Sequence, residues 1–411
     1  MVILAGVCAV AEAQAGEAEM QKTLNTWNQR IAEYKAALSY AGTDEEKAKL
    51  PPPAPDELAS RLWRSVRGVT GTRNPAERKG DKNLPEKTYE FEEEWAAPAV
   101  LWFIQYPEAF AKLFRNRPET ELSTFAYALL HALQTKHYNS PNVGDVCAKL
   151  AESTNGKVYD ILEKIYINNS SPAARSCAAL AMSIMLSNPE LASLEGGYAR
   201  TRNKRIYYIR QALNLAPKDT MFGNVGLTEA AVEQTYRLRH LSLGSIPPKL
   251  QVYTVSGQAV EYPTPGKPHL IFFWSPEEEV GLRLMSKQKA LQKQYPGLVI
   301  VPIVPHMEQD RLEQMLHENG IDICFVDNEQ GKAGIDCRVE RIPMAILLDD
   351  RSHILYIGYP DMQLQTALNT LYRQEEASGA AKPTPPPAAT PAATQPKASN
   401  TPPALREMPK F

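Results

Sequence analysis

The chain has 411 residues, more than one ordinary hydrophobic core organises, so it is expected to divide into two or more domains. Its 45 lysines and arginines stand against 47 aspartates and glutamates, a net charge of −2. That balance gives neither the basic field of a nucleic-acid binder nor the acidity of a disordered chain. Hydrophobic residues, at 43%, suffice for folded cores, while nine of the 33 prolines crowd in after Ala377.

The first stretch, MVILAGVCAVAEAQAGEAE, sets an apolar run from Val2 to Val10 before Ala13-Gln14-Ala15, an A-x-A pattern preceding Gly16. Residues 1–15 therefore read as a signal peptide, and the protein as exported to a periplasm or cell envelope. No Lys or Arg precedes the run, which fits a truncated or misassigned start. Cys8 leaves a lipid anchor as the alternative, but Val7 stands where a lipobox carries Gly or Ala. No other segment approaches 18 uninterrupted apolar residues, so no membrane-spanning helix is expected.

Residues 16–88 are expected to form a helical hairpin and a linker. Leu24, Trp27, Ile31, Tyr34, Leu38 and Ala41 recur at steps of three and four, one seam of a helix that needs a partner. Pro51 to Pro55 would stop the second arm, because proline lacks the amide donor and clashes with the preceding turn. Gly68 to Lys87 reads as an exposed basic connection. Residues 89–242 are helical in pattern, with breaks at Pro107, Pro118, Pro141, Pro172, Pro189 and Pro217. Ser171-Pro172 supplies an N-cap and a first-turn proline for a helix whose stripe is Cys177, Leu180, Ala181, Ile184 and Met185. Arg205 to Asp219 resembles the second helix of a tetratricopeptide-type repeat, with Ala212, Leu213 and Pro217 in that family's places. Two readings follow: a repeat-like array gripping a protein or peptide, or a bundle supporting the next domain. The basic run Ala199 to Arg205 lacks interleaved aromatics and is expected to be a solvated loop, not a nucleic-acid site.

Beyond the presumed leader the cysteines are Cys147, Cys177, Cys324 and Cys337, two in each half. One bridge per domain is permitted, but four cysteines allow three connectivities. Cys147 and Cys177, flanked by Val and Ala, read as small core residues. No two cysteines form a C-x-x-C and no two histidines stand four apart, so no metal site and no cofactor are expected.

Residues 243–375 change to alternating strands and helices. Leu243 to Tyr262 reads as an opening segment and a hairpin turned at Ser256-Gly257. HLIFFW at residues 269–274 is a strand buried on both faces, followed by one helix to about Gln294. Further strands are expected at Leu298–Val304, Ile323–Asp327, and in a final pair turned at Asp350-Arg351-Ser352. Helices are expected at Gln309–Asn319 and from Met362 to about Gln374. Residues 376–411, rich in Ala, Pro and Thr, read as a disordered or polyproline tail.

The segments LGSIPP (residues 243–248), FFW (272–274) and RIPMAILLDDRSHILYIG (341–358) together resemble the TlpA/ResA-type thioredoxin-like domains found behind helical regions in exported bacterial proteins. The resemblance implies a multidomain chain: a helical, repeat-like or bundle region, then an α/β thioredoxin-like domain with a mixed sheet flanked by helices. It also implies a cis-proline at Pro343, after Ile342. The family carries W-C-x-x-C after its strand, at a helix start that acidifies the thiol. Here, with Phe273-Trp274 set without a gap on the F-W that the family carries ahead of that motif, the resemblance places Glu278 and Gly281 at the two cysteine positions. A shorter loop brings Ser275 or Pro276 there instead. Every register removes the sulfur that disulfide exchange requires.

SPEE at residues 275–278 reads instead as a helix start, with Ser275 as N-cap, Pro276 at the first position and Glu278 completing a capping box. Glutamates 277 to 279 at an exposed helix end are the opposite of a buried, perturbed acid-base site. Cys324 and Cys337 are expected to form a structural staple, worth roughly 3 kcal/mol in the chain-entropy model. A displaced redox pair is the alternative. The function expected is a redox-inert binding or scaffold protein with a protein or peptide partner, gripped in a groove at Trp274, Ser275, Glu278, Ile342 and Pro343. The competing expectation is a thiol-disulfide oxidoreductase using Cys324 and Cys337.

Overall fold

The computed structural model describes residues 2–66, 90–115, 119–188, 191–192, 198–305, 307 and 309–377. The basic connection expected over residues 68–87, the breaks at Pro118 and Pro189, and the tail beyond residue 377 lie outside the described residues, as do the side chains of residues 1–15.

The first half is helical. Helix α1 (Val2–Tyr40) buries Met20, Leu24 and Trp27. A short helix α2 (Asp44–Ala48) carries a Thr43/Glu46 capping box and ends before Pro51. Helix α3 (Asp56–Val66) returns along α1, burying Leu58, Leu62 and Val66 at four-residue spacing. Both pack on α4 (Ala97–Gln105) and α5 (Pro107–Leu113). Trp27 meets Trp102 edge-on at 5.8 Å and Tyr106 at 5.2 Å between ring centroids. Helix α6 (Glu119–Ala132) brings Phe125 within 4.7 Å of Trp63 and 5.0 Å of Phe91. Such aromatic pairs add about 0.5–1.5 kcal/mol each beyond the area they bury. The partner required by the α1 seam is thus an aromatic core contributed by several elements.

Helices α7 (Gly144–Leu150), α8 (Gly156–Asn168), α9 (Pro172–Met185), α10 (Tyr198–Leu215) and α11 (Leu227–His240) extend the same core. A two-residue hairpin, β1 (Met221–Phe222) with β2 (Val225–Gly226), precedes α11. Helix α9 starts as its sequence requires, with the Ser171 side chain accepting the Ala174 amide and Pro172 in the first turn. Its Ala174, Cys177, Ala178 and Ala181 are all buried, so α7, α8 and α10 approach it closely on several sides. A Cβ on Gly144 would lie 3.2 Å from the Ala174 Cα, which marks how near α7 comes.

The run Ala199 to Arg205 is not a loop but the first turns of α10, with Thr201 and Arg205 buried. Arg205 Nε donates to Ser183 O at 3.1 Å, in the last turn of α9, where carbonyls lack helical partners. A cation that reads as solvated in one dimension thus satisfies a helix end in three.

The second half holds a seven-stranded sheet in the order β4-β3-β7-β6-β5-β8-β9. Its strands are β3 (Leu250–Thr254), β4 (Ala259–Tyr262), β5 (His269–Phe273), β6 (Val299–Val304), β7 (Phe325–Val326), β8 (Met344–Leu348) and β9 (Ile354–Gly358). The β5-β6 and β6-β7 pairs are parallel, while β8 and β9 add antiparallel on the other side of β5. Strand β5 is buried along its whole length, and its alternation splits two cores. Leu270, Phe272 and Trp274 join one face, and Ile271 and Phe273 the other.

Helices α12 (Glu279–Met285), α13 (Gln288–Gln294), α14 (Gln309–Glu318) and α16 (Met362–Ala377) cover the first face with Met285, Leu312, Leu364 and Leu368. The single helix expected up to Gln294 is broken at Ser286-Lys287. There Gln288 turns inward and its Nε2 donates to Ile323 O at 2.8 Å. One further helix, α15 (Lys332–Asp336), has no counterpart in the sequence reading. Gly331 opens it at φ 65°, a left-handed conformation that favours glycine. The buried Asp327 carboxylate caps it, accepting the Ala333 amide at 3.0 Å and the Gly334 amide at 2.9 Å.

Candidate functional site

Strands β5, β6 and β7 end on the same side, and ligands of open α/β sheets lie outside such carboxyl ends. A cleft of about 810 Å³ opens there, with Trp274, Val304 and Asp327 at the three strand ends and Ile335, Val339 and Ile342 across from them. Arg237, Arg338 and Arg341 line it together with Glu329 and Glu340, so its rim carries both signs. A second cavity of about 410 Å³ lies on the other side of the Asp327–Gln330 turn, against Val255, Met307 and Leu312.

Of the residues the sequence singles out, Trp274 and Ile342 line the cleft together, while Ser275, Glu278 and Pro343 are not among its lining residues. Trp274 is fully buried in the first core, and its amide extends the β5-β6 ladder by donating to Ile303 O at 3.1 Å. Ile342 remains 38% exposed, and the Ile342–Pro343 peptide bond is cis.

The helix start differs in detail from the sequence expectation. The N-cap of α12 is Glu278, not Ser275: its carboxylate accepts the Val280 amide at 3.1 Å and the Gly281 amide at 2.6 Å. Ser275 to Glu278 form a turn closed by the Glu278 amide on Ser275 O at 3.0 Å, with Ser275 Oγ accepting from Glu277 N. A Cβ at Gly281 would sit 3.1 Å from Trp274 Cβ and 3.2 Å from Glu278 Oε2, so the first turn of this helix packs directly on Trp274. Glu277 pairs with Arg311 at 3.2 Å and Glu279 with Arg283, all of them exposed. Exposed pairs of this kind contribute roughly 0–1 kcal/mol, and neither Glu277 nor Glu279 is the buried carboxylate that acid-base work needs.

Cys324 and Cys337 are apart. Cys324 belongs to the core on one face of the sheet and Cys337 to the core on the other. All four described cysteines are free thiols and buried, so neither the staple expected between Cys324 and Cys337 nor a bridge between Cys147 and Cys177 is formed. Burial pushes the Cys324 and Cys177 thiols up to about 12, and holds Cys337 and Cys147 well above the ordinary thiol range. The sheet itself separates Cys324 from Cys337, which a spacing of thirteen residues along the chain does not reveal.

Sequence reasoning passed over Asp327, Glu233 and Arg338. Asp327 ends a strand and is followed by a glycine four residues on, a pattern in which a carboxylate caps the next short helix. Glu233 and Arg338 are far apart in sequence and meet only in the folded chain, where Arg338 Nε lies 2.9 Å from both carboxylate oxygens of Glu233. No group of three or more metal-ligating side chains occurs among the described residues. Nor, among them, is any helix long and apolar enough to cross a membrane.

Around β5 the strand order and directions make a mixed sheet, the arrangement expected of residues 243–375. Similar solved structures include the thioredoxin domain of a thiol-disulfide oxidoreductase from Bacteroides vulgatus, at 16% identity and TM-score 0.28, over 32% of this chain and 97% of that one. A putative thiol:disulfide interchange protein DsbE from Chlorobium tepidum matches at 16% and 0.28, over 33% and 97%. StoA from Bacillus subtilis matches at 15% and 0.26, over 30% and 98%. No family model and no curated protein matches the sequence.

Proposed function

We propose that this protein is a redox-inert thioredoxin-like binding module of a bacterial cell envelope, joined to a helical region and exported by the leader at residues 1–15. The cleft beside Trp274 and Ile342 takes an extended peptide segment of a protein partner. One observation carries the reading: the amide donors that would stabilise a thiolate at the start of α12 are already taken by the Glu278 carboxylate. A helix start so occupied gains stability where an exchange enzyme keeps a reactive sulfur. The competing oxidoreductase reading loses support because Cys324 and Cys337 lie in different cores with raised thiol pKa values.

The test is insulin reduction by the purified chain with dithiothreitol as electron source, beside the Cys324→Ser, Cys337→Ser double variant. The expected result is no turnover above the dithiothreitol background for either protein. Turnover by the unmodified chain that disappears in the double variant would overturn the proposal.

A further inference from the structure

The cleft is not built by the α/β region alone. Arg237, on helix α11 of the helical region, lines it, and its neighbours on that helix hold the opposite wall. Glu233 stands at the centre: its carboxylate receives Arg237 Nε at 2.8 Å and Arg338 Nε at 2.9 Å. Arg237 continues across to Glu340 at 2.5 Å. Tyr236, between them, donates its hydroxyl to Asp336 O at 2.7 Å, and its ring lies 4.1 Å beneath the Arg338 guanidinium.

Arg338 sits in the left-handed region at φ 52°, an unfavourable conformation for a residue with a Cβ. It comes just after Cys337, the C-cap of α15, where the chain leaves that helix and turns to present Ile342. Its side chain is held in three ways: Nε on Glu233, Nη1 on Ile335 O at 2.6 Å, and the guanidinium face on Tyr236. A non-glycine residue persists in such a conformation when its surroundings over-determine it, and here the surroundings come from α11.

We propose that α11 positions the cleft wall: Glu233 anchors Arg338, and through it the 338–342 segment that carries Ile342, so the two regions form one shared site. The helical region is then a structural part of the binding site and not merely its support. Glu233 and Arg338 are positioning residues.

Hydrogen–deuterium exchange on the full chain tests this without any ligand, so its outcome is independent of the peptide reading. The Val339 amide, bonded to Gly334 O at 2.9 Å, is the reporter. Glu233→Ala is expected to speed exchange in the 338–342 segment by about tenfold or more, with β5 and β6 changing by less than about twofold. Arg338→Gly, which removes the backbone penalty together with the anchor, is expected to do the same. Unchanged protection in Glu233→Ala would overturn the proposal, as would equal acceleration across the whole α/β region. Wild-type protection in Arg338→Gly would overturn it too, because the backbone conformation alone would then suffice.

Discussion

The Glu278 carboxylate and the Gly281 amide are joined by a 2.6 Å hydrogen bond at the start of α12. One accepts and the other donates, so the site is closed on itself. Charge-assisted bonds to free helix amides are among the stronger capping interactions.

Removing that cap has a defined effect. Glu278→Ala is expected to lower stability by about 1 kcal/mol, within the usual range for loss of an N-cap, and Glu278→Asp to lower it less. Urea denaturation followed by far-ultraviolet circular dichroism measures both; a midpoint for Glu278→Ala equal to wild type would contradict the assignment of Glu278 as the cap.

Gly281→Ala tests how closely α12 approaches Trp274. The added methyl meets Trp274 Cβ at 3.1 Å and Glu278 Oε2 at 3.2 Å, closer than ordinary carbon contacts. The expected loss is about 1–3 kcal/mol despite the better helix propensity of alanine, because the core neighbour is a fully buried ring. A stabilised variant would show that propensity outweighs packing here.

The buried thiols should be inert in the native state. With Cys324 pushed up to about 12, and Cys337 higher still, the thiolate fraction at pH 8 is negligible. Iodoacetamide labelling at pH 8 followed by peptide mapping is expected to leave Cys324 and Cys337 unmodified, and to label both once urea is added. Rapid native labelling at either position would reopen the redox reading.

Stability should fall as the solution is acidified. His269 is fully buried, with Nδ1 on Lys267 O at 2.8 Å and Nε2 within 3.0 Å of Thr264 Oγ1, and burial lowers its pKa. His137, buried and bonded to Phe91 O, is lowered for the same first reason. A histidine with a lower pKa folded than unfolded binds more protons when unfolded, so its contribution is present above about pH 6.5 and is lost as pH falls through and below that value. The urea midpoint is expected to drop between pH 7.5 and 5.5, and the drop to shrink in His269→Gln.

In the cleft, Ile342→Glu replaces a partly exposed apolar wall residue with a charge. Docking a peptide side chain against it would contribute a fraction of the roughly 1.5–3 kcal/mol that full burial of isoleucine gives. On an array of extended peptides, spots that bind the wild-type chain are expected to lose about tenfold in signal with this variant. Unchanged spots would place the contact elsewhere.

Much of this architecture follows from local pattern. The apolar runs at 269–274, 299–304 and 344–348, the cap at Ser171-Pro172 and the spacing of Leu24 and Trp27 each act on neighbouring residues. Their strands and helices therefore form where the one-dimensional pattern puts them. The absence of sulfur at residues 275–281 is equally a property of the sequence.

Whatever depends on what lies across from a residue was decided only by the tertiary structure. Cys324 and Cys337 are divided by the sheet, Arg205 answers a carbonyl of another helix, and Glu278, not Ser275, caps the helix whose Gly281 packs on Trp274. Glu233 meets Arg338 across more than a hundred residues of chain. Burial and hydrogen bonding are three-dimensional quantities, and sequence periodicity reports only which face a residue occupies, not which partner that face will find.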